Sequence, residues 1–354
     1  MCLKIVNLIY VFLLLIYSAK LYALNIEMVD SSDEGKYQIL VNESDNIRMI
    51  FVGDIMFGRL VKSSADINAN RDYRFMFEEV AGFMQDADIV FGNLENPVSD
   101  LKVKGTIPNI MDPNFRFDLN FVPSPFSCCN FMADPASIEG LLYAGFNVLS
   151  VANNHIGDAG REVMEDTFLN LNNAGIHYVG GGYTGYDAHS PVIFDVNNVK
   201  VGFLAYSNIN NGKDWSASEI RSGIAYFEKD FDKDQVKRDI QVSRNKVDVL
   251  IISLHTGDEG DWSVDSGQIA NARFIIDAGA DLIIGHHTHN IQTMEVYKGG
   301  FIAHNIGNFV FDTESEPHTT GLLLEMFLDK NLQLKVIPRY IRINASHQPV
   351  LMLD

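Results

Sequence analysis

The chain has 354 residues, 47% of them apolar and 21% charged, which describes a globular protein with a substantial core rather than a disordered or fibrous one. Its 27 Lys and Arg stand against 46 Asp and Glu, a formal net charge of −19. That balance argues against a nucleic-acid partner, whose phosphates are bound through Lys and Arg, and against adhesion to an anionic membrane surface, which needs basic clusters.

Residues 1–23 read as a signal peptide or anchor. Lys4 precedes an apolar run over 8–17, and small residues follow up to Ala23. The run is short for a full span, yet Leu21 is an imperfect cleavage-site residue, so an uncleaved membrane anchor stays open. Either reading makes the chain an exported protein of the periplasm or cell envelope. Cys2 lies before the apolar run, not where a lipoprotein cysteine stands. Removing the segment with Lys4 and Lys20 takes the net charge from −19 to −21. Only Cys128 and Cys129 then remain. Sequence neighbours rarely meet disulfide geometry, so the fold is expected to need no disulfide framework. The lack of CxxC pairs excludes zinc fingers, and the two thiols are either incidental or a redox pair.

Residues 24–47 form a polar lead-in (Asp30-Ser31-Ser32-Asp33-Glu34) with little core. A single domain is expected over 48–354. Here short β-branched runs alternate with helical patterns, and Gly145, Gly175 and Gly279 each end a helix just before a strand. Helix, glycine and buried strand in repetition is an α/β signature. An insert at about 99–135 breaks the rhythm with Pro108, Pro113, Pro123, Pro125 and Pro135. It reads as a long ordered loop, either a lid over a site or a structural flap.

The buried strands lead into polar residues. Arg48-Met49-Ile50-Phe51-Val52-Gly53 runs into Asp54, and Asp88-Ile89-Val90-Phe91-Gly92 into Asn93-Leu94-Glu95. The run from Phe146 to Ala152 leads to Asn153-Asn154-His155, that from Val247 to Leu254 to His255, and that from Asp281 to Gly285 to His286-His287-Thr288-His289. Strand C-terminal ends in an α/β sheet gather at one edge, where ligands bind. Singly, each residue has a plainer reading: Asp54 as a helix cap, Asn153-Asn154 as a turn, Glu95 as solvated, His255 as a core residue. Together they predict one cleft holding a divalent metal, because carboxylate oxygens mixed with imidazole nitrogens suit Mn, Fe or Zn, and an acidic residue between two ions can bridge them. Residues two apart in an extended segment face the same way, so His287 and His289 are expected to point into the cleft together. His177, His189, His304, His318 and His347 read as packing or surface residues.

Six ordered motifs now carry a resemblance. Gly53-Asp54-Ile55-Met56, Gly92-Asn93-Leu94-Glu95, Ala152-Asn153-Asn154-His155 with Asp158 and Gly160, His255-Thr256-Gly257-Asp258-Glu259, Gly285-His286-His287-Thr288-His289 and Gly307-Asn308-Phe309-Val310-Phe311-Asp312 are similar to the CapA family of poly-γ-glutamate capsule biosynthesis proteins. That family in turn resembles the calcineurin-like metallophosphoesterases. The resemblance implies an α/β fold: a four-layer α/β/β/α sandwich of two mixed sheets, metallophosphoesterase-like, with one or two divalent ions (Mn, Fe, Zn or Mg) between the sheets' ends. It implies that Asp54 binds a first metal, that Glu95 bridges, that Asn154, His255 and His287 complete a second, and that His289 returns to the first. His155 would be the general acid or an electrostatic group near the leaving oxygen, held by Asp158, and Arg59 would clamp an anionic oxygen. Met56 stands where phosphoesterases carry a histidine and is a poor ligand for a hard ion, so weaker or absent occupancy is expected at the first metal. Within the family, Thr256 and His304 replace a common Trp and Tyr.

Two functions follow as expectations. One is an exported, metal-dependent hydrolase of capsule polymer biosynthesis, acting on an anionic polymer or a phosphoester. The other is a non-catalytic polymer-binding or scaffold component of a capsule synthesis or export complex, with membrane partners.

Overall fold

The computed structural model describes residues 24–30, 32, 45–101, 131–228, 233–313 and 318–352. The signal or anchor at 1–23, Cys128 and Cys129, and most of the 99–135 insert lie outside the described residues.

The strand Ile47–Ile55 shows why its run is apolar without interruption: Met49 and Phe51 pack into one core cluster and Ile50 and Val52 into another, so both faces are covered. Ile89–Leu94 pairs with it in parallel, followed by Val148–Ser150 and His177–Val179. On its other side Thr320–Leu328 runs antiparallel, and Gln333–Ile343 is antiparallel to that. Asn308–Val310, Pro349–Leu351 and Asn25–Met28 complete a mixed sheet of nine strands. The second sheet has six strands in the spatial order Met294–Tyr297, Gly300–Ala303, Leu282–His286, Val249–His255, Val199–Ser207 and Val192–Val196. Its inner four are parallel and its two edges antiparallel.

The two sheets pack face to face. Phe51 and Phe91 of the first meet Phe203 of the second, with Phe91 stacked on Phe203 at 5.6 Å, among Val249, Ile251, Leu282 and Ile284. The outer face of the first sheet is covered by the helices Arg59–Ala69, Ser137–Tyr143 and Arg161–Asn173, which supply Val61, Leu141 and Phe168. The outer face of the second is covered by Lys233–Arg244 and Ser266–Ala278 through Val236, Ile240, Ala272 and Ile275. This is a four-layer α/β/β/α sandwich.

Gly145, Gly175 and Gly279 stop helices with φ of 86°, 76° and 122°. The lead-in contributes more than its composition suggests. Asn25–Met28 pairs in parallel with Gln333–Ile343, and Leu24 and Val29 are buried. The ladder holds the segment by main-chain hydrogen bonds, which composition does not register. At the insert, Ser99 donates to the Ala133 carbonyl and Ala133 to that of Pro97, which pins its two ends side by side. One ionic cluster sits in a central strand: fully buried Glu325 lies 2.8 Å from Arg48 and 2.9 Å from Arg339, both of whose guanidiniums cover the Phe83 ring.

Candidate metal centre

Strand ends from both sheets converge, so the cleft is not one edge of one sheet: parallel strands of facing sheets finish at the same end of the sandwich. The register of the first sheet places Asp54 beside Asn93, with Glu95 just past its strand and Asn154 and His155 beyond Val148–Ser150. In the second sheet His255 pairs with His286 at the ends of adjacent strands. A loop at 304–308 closes on both. A Cβ at Gly53 would strike the Gly307 carbonyl, and one at Gly285 the His304 carbonyl, so glycine is required where the loop crosses each strand. The Asp54 N–H donates to Gly307 and the Ile306 N–H to Gly285.

The resulting side chains form two sets of potential ligands that share one member. Asp54, Glu95 and His289 have ligand atoms within 4.8 Å of one another, as do Glu95, His255 and His287. Asn154 joins the second set, its Oδ1 lying 2.7 Å from His255 Nε2, which is itself 3.5 Å from Glu95 Oε1. His287 and His289 reach the cleft by a different route from the one expected. Their strand ends at His286, and they occupy a turn with φ of 101° and 59°, so backbone conformations rare for side-chain-bearing residues aim them, not strand alternation.

Asp54 and Glu95 are fully buried, and among the described residues their ion-pair partners are histidines alone. Among the described residues neither oxygen of Glu95 has a hydrogen-bond partner. Burial, and then the charge of Asp54, push the Glu95 carboxyl well above its ordinary value. Burial acts on Asp54 too, but the close approach of His286 and His289 outweighs it and holds that carboxyl well below the usual range. Burial and the neighbouring His287 lower His255, and burial and His289 bring His287 down to about 3, leaving both as neutral donors. His289 goes up, because its Asp54 partner outweighs burial. Two buried carboxylates with no Lys or Arg partner among the described residues are costly unless a cation joins them. The residues therefore fit a divalent ion, and carboxylate oxygens with imidazole nitrogens match Mn, Fe or Zn.

His155 and Asp158 meet at the mouth, Nδ1 to Oδ2 at 2.9 Å. Phe131 stacks on the His155 ring at 4.0 Å and donates its N–H to the same Asp158 oxygen. Arg59 lies over the other part of this arrangement, 4.4 Å from the Phe131 centroid, with its guanidinium paired to Asp312. A substrate oxyanion would have to share Arg59 with that carboxylate. Met56 packs in the core with its sulfur on the Gly58 N–H, away from any ligand role. Four contributors were not singled out from the sequence. Asn93 donates to Asp54 at 2.8 Å, Asn308 Oδ1 meets His289 Nδ1 at 2.8 Å, Asn153 ties Asn93 to the Leu94 carbonyl, and His286 lies 3.1 Å from Asp54. All four stand inside the quoted motifs, which is the available signal.

The family model described as bacterial capsule synthesis protein PGA_cap matches residues 48–313. The chain belongs to this family. It is 31% identical over 310 residues to a capsule biosynthesis protein CapA of Bacillus anthracis, covering 87% of this chain and 70% of that one. It is 29% identical over 288 residues to the PGA biosynthesis protein CapA of Bacillus subtilis, covering 81% and 69%. A probable polyglutamine synthesis accessory protein of Mycobacterium tuberculosis is 25% identical over 294 residues, covering 78% and 77%. Among solved structures, a novel phosphatase from Mycoplasma pneumoniae aligns over 87% of this chain and 91% of its own with TM-score 0.39 and 12% identity. An NAD nucleotidase of Haemophilus influenzae aligns over 87% and 54% with TM-score 0.40 and 11% identity. Those two likenesses are too distant to bear on the chemistry of this PGA_cap member.

Proposed function

We propose that this PGA_cap protein is an exported component of capsule polymer biosynthesis that hydrolyses an ester, amide or phosphoester bond at a divalent-metal centre. The observation that carries the reading is Glu95: buried, with no hydrogen-bond partner for either oxygen among the described residues, and common to both ligand sets. Asp54, Glu95 and His289 would hold one ion, and Glu95, Asn154, His255 and His287 the other. When bound, such ions supply Lewis-acid stabilisation of charge that develops on a phosphoryl or acyl oxygen. Asn93, His286 and Asn308 orient the first of these sets through Asp54 and His289. His155, its Nδ1 engaged by Asp158, has Nε2 left to give a proton to the leaving oxygen. The molecule's −19 charge disfavours an anionic polymer over most of its surface, and bound cations would favour the cleft as a point of contact. Export rests on the apolar segment at 1–23; among the described residues no helix is long and apolar enough to cross a membrane.

The test is hydrolysis by the metal-loaded protein of a panel of phosphoester, amide and γ-glutamyl substrates, set against a His255→Ala control. The expected result is cleavage of one class, with His155→Ala keeping its metal but losing roughly 10²–10⁴-fold in turnover. Activity no higher than the control across the panel would overturn the reading. Burial of Met56 in the core favours the alternative, a non-catalytic polymer-binding component, because it leaves Asp54, Glu95 and His289 as the first set among the described residues. Binding of glutamate oligomers that survives a chelator and is lost in His255→Ala, in a protein that cleaves nothing, would select that alternative.

A further inference from the structure

The outer face of the second sheet carries a cavity of about 610 Å³ between the helix Lys233–Arg244 and the segment 184–191, on the opposite side of the sheet from the core shared with the first sheet. Its floor is organised around one buried carboxylate. Asp239, with its side chain 8% exposed, receives His189 Nδ1 at 2.6 Å, the Tyr206 hydroxyl at 3.1 Å and Gln235 Nε2 at 2.6 Å. Its acceptor capacity is thus largely used by protein groups, and His189, tied through Nδ1, has Nε2 remaining. Ser243 also lines the cavity; it is 1% exposed, and its hydroxyl has no hydrogen-bond partner. A buried hydroxyl left unpaired is unfavourable.

The remaining lining is mixed in a specific way. Arg238 and Lys246 bring two cations to the walls of a strongly acidic protein, Glu219 brings one carboxylate from the facing loop, and Tyr186, Pro191 and Val242 are apolar or amphipathic. Tyr186 and Val242 are 82% and 55% exposed, more than packing alone requires. A bare inorganic anion would use the cations but leave Glu219, the His189 Nε2 acceptor and the apolar wall without a role. We propose that this cavity is a second ligand site, separate from the metal centre, for a carboxylate-bearing amino-acid or peptide-like group. Its carboxylates meet Arg238 and Lys246, its N–H groups meet Glu219 and the His189 Nε2, and its methylenes lie on Tyr186, Pro191 and Val242. The choice of a glutamyl probe rests on the capsule-polymer reading above; the site itself does not.

The experiment is calorimetric titration of the full chain with glutamate, a γ-glutamyl oligomer and inorganic phosphate, each with the metal centre loaded and chelated. The expected result is saturable binding of the glutamyl ligands that persists under chelation. It should weaken about tenfold or more in the double variant Arg238→Glu, Lys246→Glu, and to a smaller extent in Ser243→Ala. Metal content should be unchanged in all three proteins. No saturable glutamyl binding under chelation would overturn the proposal, as would binding of phosphate alone or binding lost in His255→Ala but kept in the double variant. Failure of the hydrolase panel, by contrast, would remove the reading of the metal centre and leave this result standing.

Discussion

Glu95 is the residue on which both ligand sets depend, and its protonation makes a direct prediction. In the metal-free protein burial and Asp54 keep its carboxyl raised, and Asp54 keeps His289 raised, so each holds its proton to higher pH than it would in water. His255 and His287 are shifted the other way and are already neutral near pH 7. Cation binding must therefore displace protons from Glu95 and His289 only, and affinity should rise with pH from above the ordinary carboxylate value to beyond the ordinary imidazole value. Calorimetry in buffers of differing ionisation enthalpy should report about one to two protons released. Release of none would contradict the assigned protonation. Glu95→Gln removes the shared charge and should abolish binding at both sets, whereas Asp54→Asn should affect the first set more strongly than the second. Metal titration of the two variants distinguishes these outcomes.

The element that joins the two halves of the site is the loop at 304–308. It crosses Gly53 in one sheet and Gly285 in the other, and it precedes Asn308, which meets His289. Gly285→Ala forces a methyl against the His304 carbonyl. It should lower stability by about 1–3 kcal/mol and weaken metal binding, although residue 285 carries no ligand. Thermal unfolding and metal titration on the same variant check this; unchanged metal affinity would show that the loop does not position the ligands. A second element-scale prediction concerns the strand Thr320–Leu328. Glu325→Ala strips Arg48 and Arg339 of their buried partner, and because both arginines keep some solvent access the loss should be roughly 2–4 kcal/mol rather than more. Denaturant unfolding at neutral pH measures it, and metal content should stay constant.

At the scale of the molecule, a part of this architecture was legible in the order of residues. Asp54, Glu95, Asn154, His255, His287 and His289 each follow a run too apolar to be anything but a buried strand, and strand ends collect ligands, so their convergence could be reasoned from pattern. The assignment of strands to two facing sheets could not. Parallel strands pair without a local turn to declare the partner, and the division of the site between sheets came from the resemblance. The pairing of Asn25–Met28 was invisible for a related reason, since main-chain ladders leave no mark on a polar sequence. His286 stands in the strand-end cluster without a role of its own, because contact with Asp54 across sheets is a relation no spacing encodes. The cavity around His189 and Ser243 was equally hidden, its parts lying far apart in the chain.

The central claim is that segments from both sheets meet around a shared cation, and elemental analysis of purified protein dialysed against Mn, Fe or Zn tests it most directly. The account predicts about one to two ions per chain, lost together in Glu95→Ala and retained in His155→Ala. A protein that carries no more metal than its Glu95→Ala variant would contradict it.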